Sequence, residues 1–213
     1  MQLVLVIARP GDSARTIRYL RNGHVDGAIV VSHHRDDELD RALQLSGLPN
    51  VFVGRPLSSA SDTQYVDTVA GPLDMSAGID RLAGWREAVR AAGLSEDAVV
   101  HGDFTITSGA AAARRLLAAH PDIDGLFVAS DLMAVGAMGV LAELGRDVPG
   151  DIAIVGYDNV GVATSTNPPL TTVIQPVIAM ARAAGARLLD QLHGGGDREP
   201  LIFAPELVIR GSA

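Results

Sequence analysis

The sequence predicts an α/β protein built on parallel sheets flanked by helices. Two observations carry that expectation. Short runs rich in Val, Ile and Leu alternate with longer stretches whose apolar residues recur at helical spacing, the pattern of βαβ units. The interior is also large enough: of 213 residues, 47% are hydrophobic and 20% charged, which suffices for one large or two small cores.

The elements follow in order. "LVLVIA" (3–8) reads as a strand and "SARTIRYLRNG" as a helix stopping near Gly23. "DGAIVV" (26–31) is a strand, "RDDELDRALQLSG" a helix closed by Gly47, and "NVFVG" (50–54) a strand. "SAGIDRLAGWREAVRAAG" sets Ile79, Leu82, Trp85 and Val89 on one helical stripe ahead of Gly93, which makes Trp85 a core residue. Next come strand "AVVHG" (98–102), helix "SGAAAARRLLAAH", strand "GLFVAS" (125–130), helix "DLMAVGAMGVLAELG" and strand "DIAIVG" (151–156). After "PPLTTVIQ" follows the helix "PVIAMARAAGARLLDQLHGGG", whose terminal glycines act as stop and turn, and then two strands, "PLIFAP" and "ELVIRG".

One region breaks the rhythm. From Arg55 to Ser76 the chain is loop-like and holds no helix, although a parallel strand at 50–54 needs a crossover, usually helical. "VAG" (69–71) looks like the tail of a strand whose beginning is missing, and the chain starts directly on a strand. Both points predict an incomplete polypeptide in which segments separated in the full protein are joined.

Composition excludes several classes. There are no cysteines, so disulfides, thiol catalysis and Cys-based metal sites are ruled out. All 17 basic residues are Arg, a usage that composition bias explains, and they are scattered within a net charge of −8. An acidic chain without a basic stripe is a poor nucleic-acid surface, so this polypeptide by itself should not hold DNA. No apolar run approaches a membrane span, and the first ten residues lack the basic start and cleavage site of a signal peptide; a cytoplasmic location is expected.

Chemistry concentrates at the carboxyl ends of the expected strands, where ligands bind in open α/β sheets. Asp158 and Asn159 end the run "GDIAIVGYDN"; Ser130 and Asp131 follow strand 125–129; Phe104 lies just after "VVHGD"; Arg81 lies early in the helix after "AGPLDMSAG". An acceptor carboxylate, a guanidinium fork and an aromatic face suit a polyhydroxylated ligand. Each has a plainer structural reading: Asp131 as a helix N-cap, Asp158 as a turn former, Phe104 as core and Arg81 as a solvated helix residue. His33-His34 lack the spacing of metal ligands, and no metal or cofactor site is expected. Nor is there a P-loop, a G-x-S-x-G elbow, an H-E-x-x-H or a G-x-G-x-x-G, so no enzyme is expected.

Three segments, "AGPLDMSAGIDRLAGWREAV", "GLFVASDLMAVGAMGVLAELGRDVPGDIAIVGYDN" and "NPPLTTVIQP", together with the terminal "PELVIRGS", resemble the effector-binding core of LacI/GalR-type bacterial transcription repressors. The resemblance covers nearly the whole chain. It implies a two-lobed periplasmic-binding-protein-like fold with the amino-terminal lobe incomplete. Residues 1–68 plus about 176–197 would form that lobe, and 69–175 plus about 198–213 the carboxyl-terminal one. It further implies a small effector, sugar-like, held in a cleft between lobes, a homodimer, and operator DNA bound only through a helix-turn-helix domain absent from this chain. Residue by residue, Arg81 matches the family's ligand-binding arginine, Phe104 an aromatic flank and Asp158 the acidic ligand contact. Ser130-Asp131 stands where several sugar-binding members carry Asn-Asp. Arg55, after Gly54, stands near an acidic contact of some members and would suit an acidic or phosphorylated effector. Gln175 belongs to a crossover segment that carries an aromatic ring in some members, which Val177 cannot replace. The alternative on the same fold is a solute-binding protein of a sugar uptake transporter, against which the "PPLTTVIQP" crossover leans.

Overall fold

The computed structural model describes residues 13–22, 25–31, 38–53, 65–67, 72, 74–195 and 199–213. The expected first strand (3–8), Gly23, His33-His34, Arg55 and "VAG" (69–71) lie outside the described residues. The chain divides into two compact units. Unit 1 comprises Met1–Thr68, Asp74–Ser76 and Val177–Phe203; unit 2 comprises Val69–Leu73, Ala77–Pro176 and Ala204–Ala213.

In unit 1 the described elements are α1 (Ser13–Arg21), β1 (Ala28–Val31), α2 (Leu39–Ser46), β2 (Asn50–Val53) and β3 (Tyr65–Asp67). The helix after unit 2 and the strand that follows it complete the unit. The four strands form one sheet in which every neighbouring pair is parallel. Its described core is Val30, Leu39, Leu43 and Phe52, with Ile17 and Leu20 of α1 packed against it. Gly47 closes α2 at φ 68°, a left-handed turn that costs a glycine little. The stretch 55–76 is not loop throughout: β3 lies within it and pairs with β2. Three residues are too short for a hydropathy pattern to register.

Unit 2 contains α3 (Ser76–Ala91), α4 (Ile106–Ala119), β4 (Gly125–Phe127), α5 (Asp131–Glu143), β5 (Ala153–Asp158), a 3-10 turn (Gly161–Thr164) and β6 (Thr171–Ile174). The chain then returns to unit 1 for α6 (Val177–Leu192) and β7 (Leu201–Ile202), and ends in unit 2 with β8 (Glu206–Val208). β4, β5 and β6 run parallel, and β8 is antiparallel to β6. Because β7 pairs with β3, the chain passes to unit 2 after Phe203 rather than near residue 198.

"AVVHG" (98–102) forms no strand. Its apolar pattern suits one, but a strand needs a backbone neighbour, and none of the described strands lies beside it.

The unit 2 core gathers Leu117, Leu126, Val140, Leu141, Ile152, Ile154 and Leu170. Burying each such side chain is worth about 1.5–3 kcal/mol. Thr105 caps α4, its hydroxyl accepting from Ser108 N at 3.1 Å, and Ser130 caps α5, accepting from Met133 N at 3.2 Å. α4 and α5 cross where Gly136 faces the carbonyl of Ile106 and Gly109 faces the backbone of Met133, with no room for a Cβ at either. That crossing aims the start of α5 at the end of β5.

Candidate functional site

The site is built on the turn that follows β5. Asp158 and Asn159 adopt φ 107° and 54°, conformations that strain any residue with a Cβ and must be held by surrounding bonds. Asp131 supplies one hold. Its carboxylate is fully buried, with Oδ1 accepting from Thr172 Oγ1 at 2.6 Å and Oδ2 from Val160 N at 2.8 Å. Gly156 makes room for it: a Cβ there would lie 2.5 Å from Asp131 Oδ1. Arg210, at the end of β8, supplies the second hold. Its Nη2 donates to Asn159 Oδ1 at 2.6 Å and its Nη1 to Leu170 O at 2.7 Å. Ser212 adds a third, bridging Thr171 N and Ile154 O.

Arg81 of α3 meets this turn. Its side chain is buried, Nη2 donates to Asp158 Oδ1 at 3.2 Å, and Nη1 donates to Ala129 O. The guanidinium carbon lies 3.8 Å from the centroid of the Tyr157 ring and 5.7 Å from that of Phe104. A desolvated cation over an aromatic face is worth about 2 kcal/mol. Arg81 Nε is buried and has no hydrogen-bond partner, so one donor of the fork remains to be satisfied. Phe104 sits at φ 67°, just before the cap of α4, which turns its ring toward Arg81.

Burial disfavours both charges of the pair. Desolvation lowers the Arg81 pKa despite the attraction of Asp158. The Asp158 carboxyl is pushed up to about 6, chiefly by burial and secondarily by the Asp131 charge, with Arg81 pulling the other way. Burial also raises Asp131, against its two hydrogen bonds. The Asp158 side chain keeps 24% of its surface, and its second oxygen has no partner among the described residues. The cluster therefore presents the partly exposed Asp158 carboxylate beside the half-buried Phe104 ring, backed by a buried guanidinium stacked on Tyr157.

Of the residues expected from sequence, Arg81, Phe104 and Asp158 come together here, and Gln175 joins them, its N–H donating to Asp158 O at 3.4 Å. Ser130 and Asp131 do not present free groups. Ser130 is 2% exposed and serves as the N-cap, while both oxygens of Asp131 are engaged within unit 2. The capping reading of Asp131 needs correcting too: Ser130 takes the cap, and Asp131 ties β6 to the turn. Arg55 lies outside the described residues. Nothing local in the sequence marks Tyr157 or Arg210 as part of this site. Tyr157 sits among aliphatic neighbours like a core residue, and Arg210 lies 51 positions beyond Asn159 with no local motif between them.

Among the described residues no group of three or more His, Asp or Glu side chains could hold a metal ion, and no helix is long and apolar enough to cross a membrane. The two-unit α/β architecture, with its polar cluster at the carboxyl ends of parallel strands, defines a periplasmic-binding-protein-like effector domain. The profile of the family described as a periplasmic binding protein-like domain matches residues 68–213. The regulator CelR of Thermobifida fusca is 42% identical over 240 aligned positions, covering 99% of this chain and 70% of its own length. The repressor CytR of Escherichia coli is 37% identical over 153 positions, 69% of this chain and 44% of its own. Among solved structures, a CelR–cellobiose complex superposes with a TM-score of 0.91 at 40% identity, covering 96% of this chain and 71% of that one. A sugar-binding LacI-family regulator from Escherichia coli, complexed with phosphate, gives 0.80 at 26%, covering 95% and 82%. The chain belongs to the LacI family of transcription regulators and carries the effector domain of that family.

Proposed function

We propose that this effector domain recognises a glucose-type disaccharide of the cellobiose class, with Arg81 and Asp158 as its principal polar contacts. The observation that carries the reading is the Arg81–Asp158 pair flanked by the Phe104 and Tyr157 rings. Asp158 keeps one oxygen to accept from a sugar hydroxyl, Arg81 holds that carboxylate in place, and the Phe104 ring packs on the C–H face of a pyranose. The cellobiose bound by the related CelR supports that ligand class. Gln175, at the carboxyl end of β6, supplies a further amide, while Ser130 and Asp131 shape the turn without touching ligand.

In this reading the domain is a homodimerising sensor in the cytoplasm, not an enzyme, and sugar binding alters the operator affinity of the regulator. The acidic charge of −8 leaves DNA contact to a part of the regulator outside this chain. An uptake-transporter role is not favoured, because the relatives are transcription regulators. Calorimetric titration of the chain with cellobiose, maltose and glucose tests the ligand class. Binding of cellobiose ahead of glucose is expected; no heat from any of the three, with circular dichroism showing a folded chain, would sink the reading.

A further inference from the structure

Asp131 opens α5, yet its carboxylate is fully buried and its two oxygens reach two different elements. Oδ1 accepts from Thr172 of β6, whose register partner on β5 is Gly156, and Oδ2 accepts from Val160 N, beyond the turn. The two anchored points therefore stand on either side of Tyr157, Asp158 and Asn159. Those three residues carry the aromatic face against Arg81, the outward carboxylate and the two left-handed backbone conformations. A single carboxylate thus staples both ends of the arc that presents Asp158. Such backbone conformations persist only where surrounding bonds impose them.

The chemistry of its partners calls for the ionised form of Asp131. Val160 N–H and the Thr172 hydroxyl both donate, and an ionised carboxylate accepts at both oxygens. Burial raises its pKa, while the two donors and the Arg210 charge pull the other way. Asp158 is raised chiefly by burial; of its charged neighbours, Arg81 lowers it and Asp131 raises it. Arg81 in turn faces Asp158, the Tyr157 phenol and Asp131.

These are the charged groups around the arc among the described residues: two carboxylates, from α5 and β5, and two guanidinium groups, from α3 and from just after β8. Both guanidinium groups are engaged, Arg81 with Ala129 O and Asp158, and Arg210 with Asn159 and Leu170 O. Buried as it is, the charge of Asp131 reaches Asp158 with less screening than a surface pair would have.

We propose that Asp131 is a positioning residue of the sugar site: without touching the sugar, its ionised carboxylate holds the arc from Gly156 to Val160 in the form that presents Asp158, and it supplies the second negative charge beside that group. The role rests on Asp158 being the sugar contact. Its two parts are separable. The hydrogen bonds fix where Asp158 stands and so govern affinity. The charge opposes ionisation of Asp158 and so raises the pH at which the site loses its acceptor.

Two variants divide these parts, read by calorimetry with cellobiose and checked for folding by circular dichroism. Thr172→Val removes one bond and keeps the charge. Its affinity at pH 7 should fall at least about threefold, while the loss between pH 7 and pH 5 stays at the parent's value of about tenfold. Asp131→Asn can keep both bonds, its amide donating to Thr172 Oγ1 and its oxygen accepting from Val160 N, but removes the charge. Its affinity should lose only about threefold between pH 7 and pH 5. A full tenfold loss in Asp131→Asn, or unchanged affinity in Thr172→Val, would overturn the role.

Carbon-13 NMR of the carboxyl groups in the unmodified, sugar-free chain decides the charge without any variant. Asp131 should stay ionised through the range in which Asp158 takes up its proton; protonation of Asp131 first would overturn the coupling. Because that titration involves no sugar, failure of the parent chain to bind cellobiose would sink the sugar reading, whereas the wrong proton order would sink the role of Asp131 alone.

Discussion

Sugar affinity should fall as pH drops through about 6, with Asp158 as the cause. The carboxylate accepts from Arg81 through one oxygen and from a sugar hydroxyl through the other, whereas its protonated form loses an acceptor and its ionic bond to Arg81. Burial sets the titration at about 6, far above the ordinary carboxyl value of 3.8. The ionised fraction then runs from about nine-tenths at pH 7 to about one-tenth at pH 5, so affinity should weaken about tenfold, or about 1.4 kcal/mol. Titration calorimetry with cellobiose at pH 5, 6 and 7 measures this directly. Asp158→Asn should bind at least about tenfold more weakly at pH 7 and show no slope with pH. A slope that survives in Asp158→Asn would place the titrating group elsewhere and refute the assignment. The same shift acts on folding. The folded carboxyl binds its proton more tightly than the unfolded one, so its contribution to stability is most favourable below about pH 4. That contribution declines between about pH 4 and 6 and levels off above, by up to about 3 kcal/mol.

Three further substitutions probe the surroundings. Arg81→Lys keeps the charge but loses the planar fork over Tyr157, and calorimetry should show at least about tenfold weaker sugar binding in a chain that still folds. Arg210→Ala frees Asn159 Oδ1 and Leu170 O; denaturant unfolding should report a loss of about 1–3 kcal/mol, with a fall in sugar affinity that Arg210→Lys partly restores. Gly136→Val forces a side chain into the Ile106 carbonyl, and should cost about 3 kcal/mol or more, seen as a lower melting temperature; an unchanged one would contradict the close α4–α5 crossing.

Much of the fold is legible in local sequence. Helix α5 announces itself by an apolar run ending before Gly145, and β5 by the alternation in "DIAIVG". Such features depend on neighbours within a few residues, which is why pattern reading finds them. "AVVHG" fails for the complementary reason. It has the side chains of a strand but no described strand beside it, and pairing is a property of two segments. β3 fails in reverse: three residues with little pattern become a strand because β2 and β7 lie on either side.

The site divides along the same line. Chain order by itself placed Arg81, Phe104 and Asp158 at strand ends and helix starts, and resemblance to the LacI family assigned them to the ligand. It could not tell a presented carboxylate from a buried brace. Asp131 and Asp158 both follow apolar strands, but Thr172 and Val160 consume the oxygens of Asp131, while Asp158 is left one free oxygen and a raised pKa. That difference, like the grip of Arg210 on Asn159, arises between residues dozens of positions apart. The sequence by itself determined the helices and the longer strands, and which polar residues end them. Tertiary structure decided which of those residues remain available to a ligand, because desolvation and hydrogen-bond saturation depend on what packs against a group.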